Sequence, residues 1–207
     1  MAELALAFYV VYLSLAFGLR SLLQWRATGS TGFIGVGGRP GSPEWLAGVL
    51  FVVALAMGAT APALALADAL EPVDALNQTA AHATGIGLAL LGVCLTLYAQ
   101  IAMGASWRIG VNPDERTDLV TSGPFAVVRN PIFAAMIPTA LGLTLMVPSV
   151  LAIFGFVALI VALELQVRVV EEPYLVRVQG AAYARYAAQT GRFVPRAGTL
   201  GRVSGSR

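Results

Sequence analysis

Apolar blocks of membrane-spanning length alternate with short polar loops along the chain. The first block predicts a helix from about Leu4 to Leu23, closed by Arg20 and Arg26. The second predicts one from about Trp45 to Ala67, with Trp45 at an interfacial end, and the third one from about Ala81 to Met103. Each is about 20 residues, or about 30 Å as a helix, which matches a hydrocarbon core. The last block is an uncharged run from Pro131 to Leu163. As one straight helix it would reach about 50 Å, too long for a bilayer core. Pro148-Ser149 sits at its middle and splits it into a tight hairpin with legs of about 24 Å, the second continuing through Glu164 towards Leu175. The predicted fold is all-α and polytopic: five transmembrane helices, the last two a hairpin, then a C-terminal helical segment. No internal repeat or heptad interrupts this plan. It divides the chain into transmembrane helices 1–3 (1–103), a core of loop, hairpin and C-terminal segment (104–195), and a Gly/Ser/Arg-rich tail (196–207) expected to be disordered.

Composition agrees with the pattern. The chain is 57% apolar and 12% charged, far from the roughly 25% charge of soluble domains, so it is expected to be an integral membrane protein. All 13 basic residues are Arg, and the formal charge of +2 is too small and dispersed for nucleic acid. Cys94 is the lone cysteine, which excludes an internal disulfide or a Cys-based metal site. It falls mid-span and reads as a small core residue. Met1–Leu23 lacks a basic leader and a cleavage site, so it reads as a retained first span. The Gly-rich stretch Gly29–Gly41 has no P-loop Lys-Ser/Thr and no preceding strand, and reads as a flexible loop or partly amphipathic lid. His82, the one histidine, is far in sequence from every polar cluster.

Loop charges orient the spans. Arg20, Arg26 and Arg39 flank the first loop, Arg108, Arg116 and Arg129 the third, and six Arg follow from Arg177 on. The second loop and the hairpin tip have none. The positive-inside bias then places the N-terminus outside and the C-terminus in the cytoplasm, with a prokaryotic inner membrane as the setting expected from the resemblance described below.

Candidate chemistry lies in two polar stretches on that cytoplasmic side. Leu119 to Phe133 is turn-rich: Gly123-Pro124 signals a turn, and Asn130-Pro131 a helix start in which Asn can cap. Arg129 stands beside an apolar span and needs a partner, for which Glu171-Glu172 are the best candidates. Glu164, Arg168 and Glu172 are spaced i, i+4, i+8 along one helix face, with Glu171 beside it. An ionisable group at the end of an apolar span is a functional candidate by default. Tyr183 and Tyr186 share a face and offer ring surface and hydroxyl, and Gly191-Arg192-Phe193-Val194-Pro195 follows.

These residues in this order resemble the isoprenylcysteine carboxyl methyltransferases and their prokaryotic relatives, which share features with phospholipid N-methyltransferases. The matching positions are Gly123, Pro124, Phe125, Arg129, Pro131 and Phe133, then Glu171, Glu172 and Leu175, then Gly180, Tyr183, Tyr186, Arg192 and Pro195. Asn130 stands where the family commonly has His, and Gln179 where it has an aromatic residue. The resemblance implies a membrane-embedded methyltransferase that uses S-adenosyl-L-methionine from the cytosol and a lipophilic or lipid-linked acceptor from the bilayer. By position it implies that Gly123, Phe125, Arg129, Asn130, Pro131, Phe133, Glu171, Glu172, Tyr183, Tyr186 and Arg192 form the cofactor site. Arg129, Glu172 and Arg108 would stand closest to the chemistry, Arg108 as a second clamp on an anionic acceptor. Acidic and aromatic groups suit a sulfonium and an ammonium, and an Arg fork suits carboxylates. A carboxylate acceptor is already ionised at pH 7, so its methylation needs positioning rather than a general base. A nicotinamide-dependent membrane reductase and a non-enzymatic scaffold or transporter are the alternatives. The identity of the acceptor and the oligomeric state stay open.

Overall fold

The computed structural model describes residues 1–32, 35–107 and 118–200. Among the described residues four helices, where five had been expected, are long and apolar enough to cross a membrane: α1 (Ala2–Thr28), α2 (Pro43–Leu66), α3 (Thr79–Met103) and α5 (Val150–Gln179). Between α3 and α5 lies the shorter apolar α4 (Pro131–Met146), of 16 residues. It spans about 24 Å, short of a full hydrocarbon core. A short α6 (Ala181–Gln189) follows α5. Among the described residues there is no strand, only a single parallel bridge between Val128 and Gly191. The hairpin turn is where the apolar run breaks: Pro148 cannot continue α4, and Ser149 caps α5 by accepting from the Ala152 N–H at 3.2 Å.

The strongest helix packing is α3 on α4, then α2 on α5. The first seam is made of small residues. A Cβ on Gly92 would stand 2.1 Å from Thr139 Oγ1, and one on Gly142 2.5 Å from both the Ala89 nitrogen and the Gly85 oxygen. Without a strong hydrophobic drive between helices in lipid, such close backbone approach is how they associate. The opposite faces stay uncovered. Ile101, Phe154 and Val150 are well exposed, as residues on lipid-facing surfaces are. Cys94 also lies on this outer face, contrary to the core position expected of it. The inward stripe of α3 runs Gly85, Ala89, Gly92, Thr96, Ala99, and residue 94 falls outside that spacing.

Two of the helices contain a π turn, Ser14–Leu19 in α1 and Gln166–Glu171 in α5. The second changes which face Glu172 occupies. Glu164 and Arg168 pair with each other on the exposed surface. Glu172, one turn further on, is buried, because a π turn adds a residue to the turn and rotates the helix beyond it. The expectation that all three share one face therefore holds only for the first pair.

One end of the bundle carries the Gly123 turn, the start of α4, the end of α5, α6 and the tail. At the other end the loop after α2 meets the hairpin tip, where the Val73 N–H donates to the Pro148 carbonyl at 2.7 Å. The tail was expected to be disordered from Arg196, yet its described part, 196–200, is folded back. The Leu200 N–H donates to the Ala187 carbonyl at 3.0 Å and the Arg192 N–H to the Ala197 carbonyl at 2.8 Å. Backbone groups satisfied this way hold a Gly/Arg-rich segment that composition alone would leave loose. Residues 201–207 lie outside the described residues.

Candidate functional site

Backbone pairing joins the two motif stretches. The Arg129 N–H donates to the Gly191 carbonyl at 2.7 Å and the Asn130 N–H to the Arg192 carbonyl at 3.1 Å. Gly191 suits this crossing because a Cβ there would fall 2.0 Å from the Val194 oxygen. Asn130 occupies the helix-start position but does not cap with its side chain. Its amide donates instead to the Arg192 carbonyl at 3.2 Å, so it ties the tail to α4, where a cap had been expected. Gly123 adopts a left-handed φ of 59°, which a residue with Cβ rarely does, and opens a short turn over Gly123–Ala126. Tyr186 closes that turn onto α6, its hydroxyl donating to the Phe125 carbonyl at 2.6 Å.

The partner expected for Arg129 is present. Its Nη2 lies 2.6 Å from Glu172 Oε1, and Arg192 grips the same carboxylate with Nε on Oε1 and Nη2 on Oε2, both at 2.8 Å. Side-chain exposures of 1% for Arg129, 8% for Glu172 and 11% for Arg192 make this a buried triad. Arg129 also donates to the carbonyls of Ala187 at 3.1 Å, Thr190 and Gly198 at 2.9 Å. One guanidinium thus gathers α5, the end of α6 and the tail. A buried carboxylate needs such complete hydrogen bonding. Bound to Glu172, the Arg192 guanidinium has its pKa raised. Burial, reinforced for Tyr183 by the Glu172 charge, pushes both Tyr183 and Tyr186 up to about 12, so both phenols keep their protons at neutral pH.

Beside the triad lies a cavity of about 430 Å³. Its polar end is walled by Arg129, Asn130, Glu171, Tyr183 and Tyr186, and Trp107 and Asp118 also line the cavity. From there it runs between the helices to an apolar end walled by Phe17, Phe51, Leu55, Met136 and Leu163. Phe125, Pro131 and Phe133 also line it, whereas Gly123, Glu172 and Arg192 stand behind its wall, shaping it through the turn and the triad. Glu171 and Glu172 therefore part company, one facing the cavity and the other neutralised by two arginines. Arg108 lies outside the described residues.

Several cavity residues had no clear sequence signal. Trp107, 3% exposed, stacks under Arg20 with the guanidinium 4.9 Å from the ring centroid. Tyr174 and Gln166 line the cavity from α5, and Thr96 and Gln100 from α3. Their one legible hint is polarity inside or next to an apolar span. The Gly-rich loop, expected as a flexible loop or lid, contributes Gly35 and Val36 to the wall. Val36 is seated on Gly48 of α2, where a Cβ would come within 2.7 Å of it.

A group that carries both a sulfonium and an amino-acid end fits the donor set at the polar end. Glu171 and the phenol rings of Tyr183 and Tyr186 line that end, groups suited to cations. Arg129 Nε is buried with no hydrogen-bond partner in the described structure, a leftover donor at the wall for a carboxylate. Fold and site together define an integral membrane protein with a cavity that reaches the buried triad at one end of its bundle. Residues 80–182, about half of the chain, match the model of the phospholipid methyltransferase family, in agreement with the resemblance carried by the motifs. The match covers α3, α4, α5 and the loops that place Arg129 and Glu171-Glu172. Comparison with curated proteins finds no significant match.

Proposed function

We propose that this protein transfers a methyl group from S-adenosyl-L-methionine to a lipophilic or lipid-linked acceptor drawn from the bilayer, with a carboxylate as the receiving group. The observation that carries the reading is the single cavity that joins an acidic, tyrosine-lined end to an apolar end between membrane helices. S-adenosyl-L-methionine supplies an electrophilic methyl on a sulfonium. Glu171 and the faces of Tyr183 and Tyr186 would hold that cationic end. Arg129 would offer its spare Nε to the carboxylate of the amino-acid end. The triad keeps these walls rigid, so the reacting atoms are brought into line by position and by exclusion of water. No proton has to be removed from a carboxylate acceptor, and the two phenols, protonated at neutral pH, are not suited to acting as bases; that of Tyr186 already donates to the Phe125 carbonyl. The site would face the cytoplasm by the loop charges.

The test is calorimetry with S-adenosyl-L-methionine on the detergent-purified protein. Wild type is expected to bind, and Glu171→Gln to bind at least about 10-fold more weakly, the effect of losing one charged contact in a desolvated pocket. A folded wild type that fails to bind the cofactor would sink the reading.

A further inference from the structure

The wall of the cavity contains three polar side chains that the methyl-transfer reading does not use. Tyr12 of α1 and Thr96 and Gln100 of α3 are 5%, 1% and 3% exposed, and all three line the cavity. Tyr12 Oη, Thr96 Oγ1 and Gln100 Oε1 are buried with no hydrogen-bond partner in the described structure. The hydroxyls of Tyr12 and Thr96 are neighbours without meeting hydrogen-bond geometry. Thr96 and Gln100 are one turn apart on the same face of α3. The amide of Gln100 is anchored, its Nε2 donating to the Ala16 carbonyl at 2.7 Å. That carbonyl lies within the π turn of α1, a kind of distortion that concentrates at functional sites. With Nε2 engaged, Gln100 keeps a fixed acceptor, and the two hydroxyls can donate.

Leaving one such group unpaired in an apolar interior is costly, and native structures rarely do so. Even with Tyr12 and Thr96 bonded to each other, one hydroxyl proton and Gln100 Oε1 are left over in the wall of a cavity, and together they point to an occupant. The groups themselves dictate its chemistry. Gln100 Oε1 accepts only, so the occupant must bring an N–H or O–H. The hydroxyls of Thr96 and Tyr12 can meet an acceptor on it. The charged residues of the wall, Arg129, Glu171 and Asp118, come from the loop and helix ends that form the polar end, and α1 and α2 contribute none. A charged group beside Tyr12 would therefore be uncompensated, and the occupant's group there is neutral. Beyond Tyr12 a second, mainly apolar cavity of about 60 Å³ shares Tyr12, Leu55 and Met136 with the first, which gives an aliphatic tail somewhere to continue.

We infer that Tyr12, Thr96 and Gln100 form a second recognition point of the cavity, which binds a neutral amide or hydroxyl carried by a lipophilic molecule. Resting on the proposed methyl transfer, this molecule is the acceptor: its reacting end lies at the polar end of the cavity, and a neutral N–H or O–H further along its body fixes its depth.

The test uses N-methyldodecanamide, which has one N–H, and N,N-dimethyldodecanamide, which has none. Binding of each to the protein in lipid nanodiscs is compared with uptake by empty nanodiscs, so that partitioning cancels. Wild type is expected to prefer the N–H amide about 10-fold. Gln100→Leu should reduce that preference to about one, with its melting temperature reporting on the fold. Thr96→Val, nearly isosteric, should weaken both amides alike and leave their ratio intact. No preference in wild type, or full preference in folded Gln100→Leu, would overturn the inference and leave these oxygens without a ligand role. Cofactor calorimetry is a separate readout, so loss of the methyltransferase reading would not be confused with loss of this one.

Discussion

At the residue scale, adjacent glutamates take opposite roles. Glu172 is neutralised by two guanidinium groups, and Glu171 lines the cavity. Glu172→Gln would strand Arg129 and Arg192 beside a neutral amide inside the fold. Breaking a buried pair from one side costs roughly 3–5 kcal/mol, so the detergent melting temperature should fall by about 10 °C, against little change for Glu171→Gln. Equal melting of the two variants would contradict this division. The Arg129–Glu172 meeting was legible, since a charge beside an apolar span must find a partner and the nearest carboxylates were few. Which glutamate it would choose was not legible, because the π turn that rotates Glu172 inward leaves no mark in the spacing of charges.

At the scale of elements, the apolar blocks located the five apolar helices, of which four rather than five reach spanning length, and Pro148-Ser149 marked the hairpin turn. The seam of α3 against α4 was harder to read. Both helices are apolar all round, so hydrophobicity does not say which face is inward, and Cys94 was placed on the wrong side for that reason. The inward face is marked instead by small residues at Gly85, Ala89 and Gly92, opposite Thr139 and Gly142. Gly142→Ala would set a methyl group against backbone at 2.5 Å, where no side chain can swing away. Overpacking of this kind costs about 1–3 kcal/mol, and the loss should appear as faster thermal unfolding. Gly87→Ala, with open space at the same atom, is the control and should unfold like wild type. Tyr12, Thr96 and Gln100 were missed on similar grounds. Single polar residues within spans are ambiguous until their neighbours are known.

At the scale of the molecule, the polar end of the cavity is held by chain segments from far apart in sequence. Residues 196–200, taken as disordered from their composition, supply the Gly198 carbonyl to Arg129 and the Leu200 N–H to Ala187. A chain stopped after Pro195 should therefore keep its helicity and its insertion in the membrane yet lose cofactor binding by about 10-fold or more, measured by circular dichroism and calorimetry together. Retained affinity would show that the latch is dispensable.

The Arg129–Gly198 contact also has a consequence in time. A protein emerges from the ribosome N-terminus first, and α1 to α5 can enter the bilayer and pair while the tail is still being made. Arg129 cannot complete its set of acceptors until residue 198 has appeared. A nascent chain would therefore be a membrane bundle first and gain its closed polar end only once residue 198 has been added.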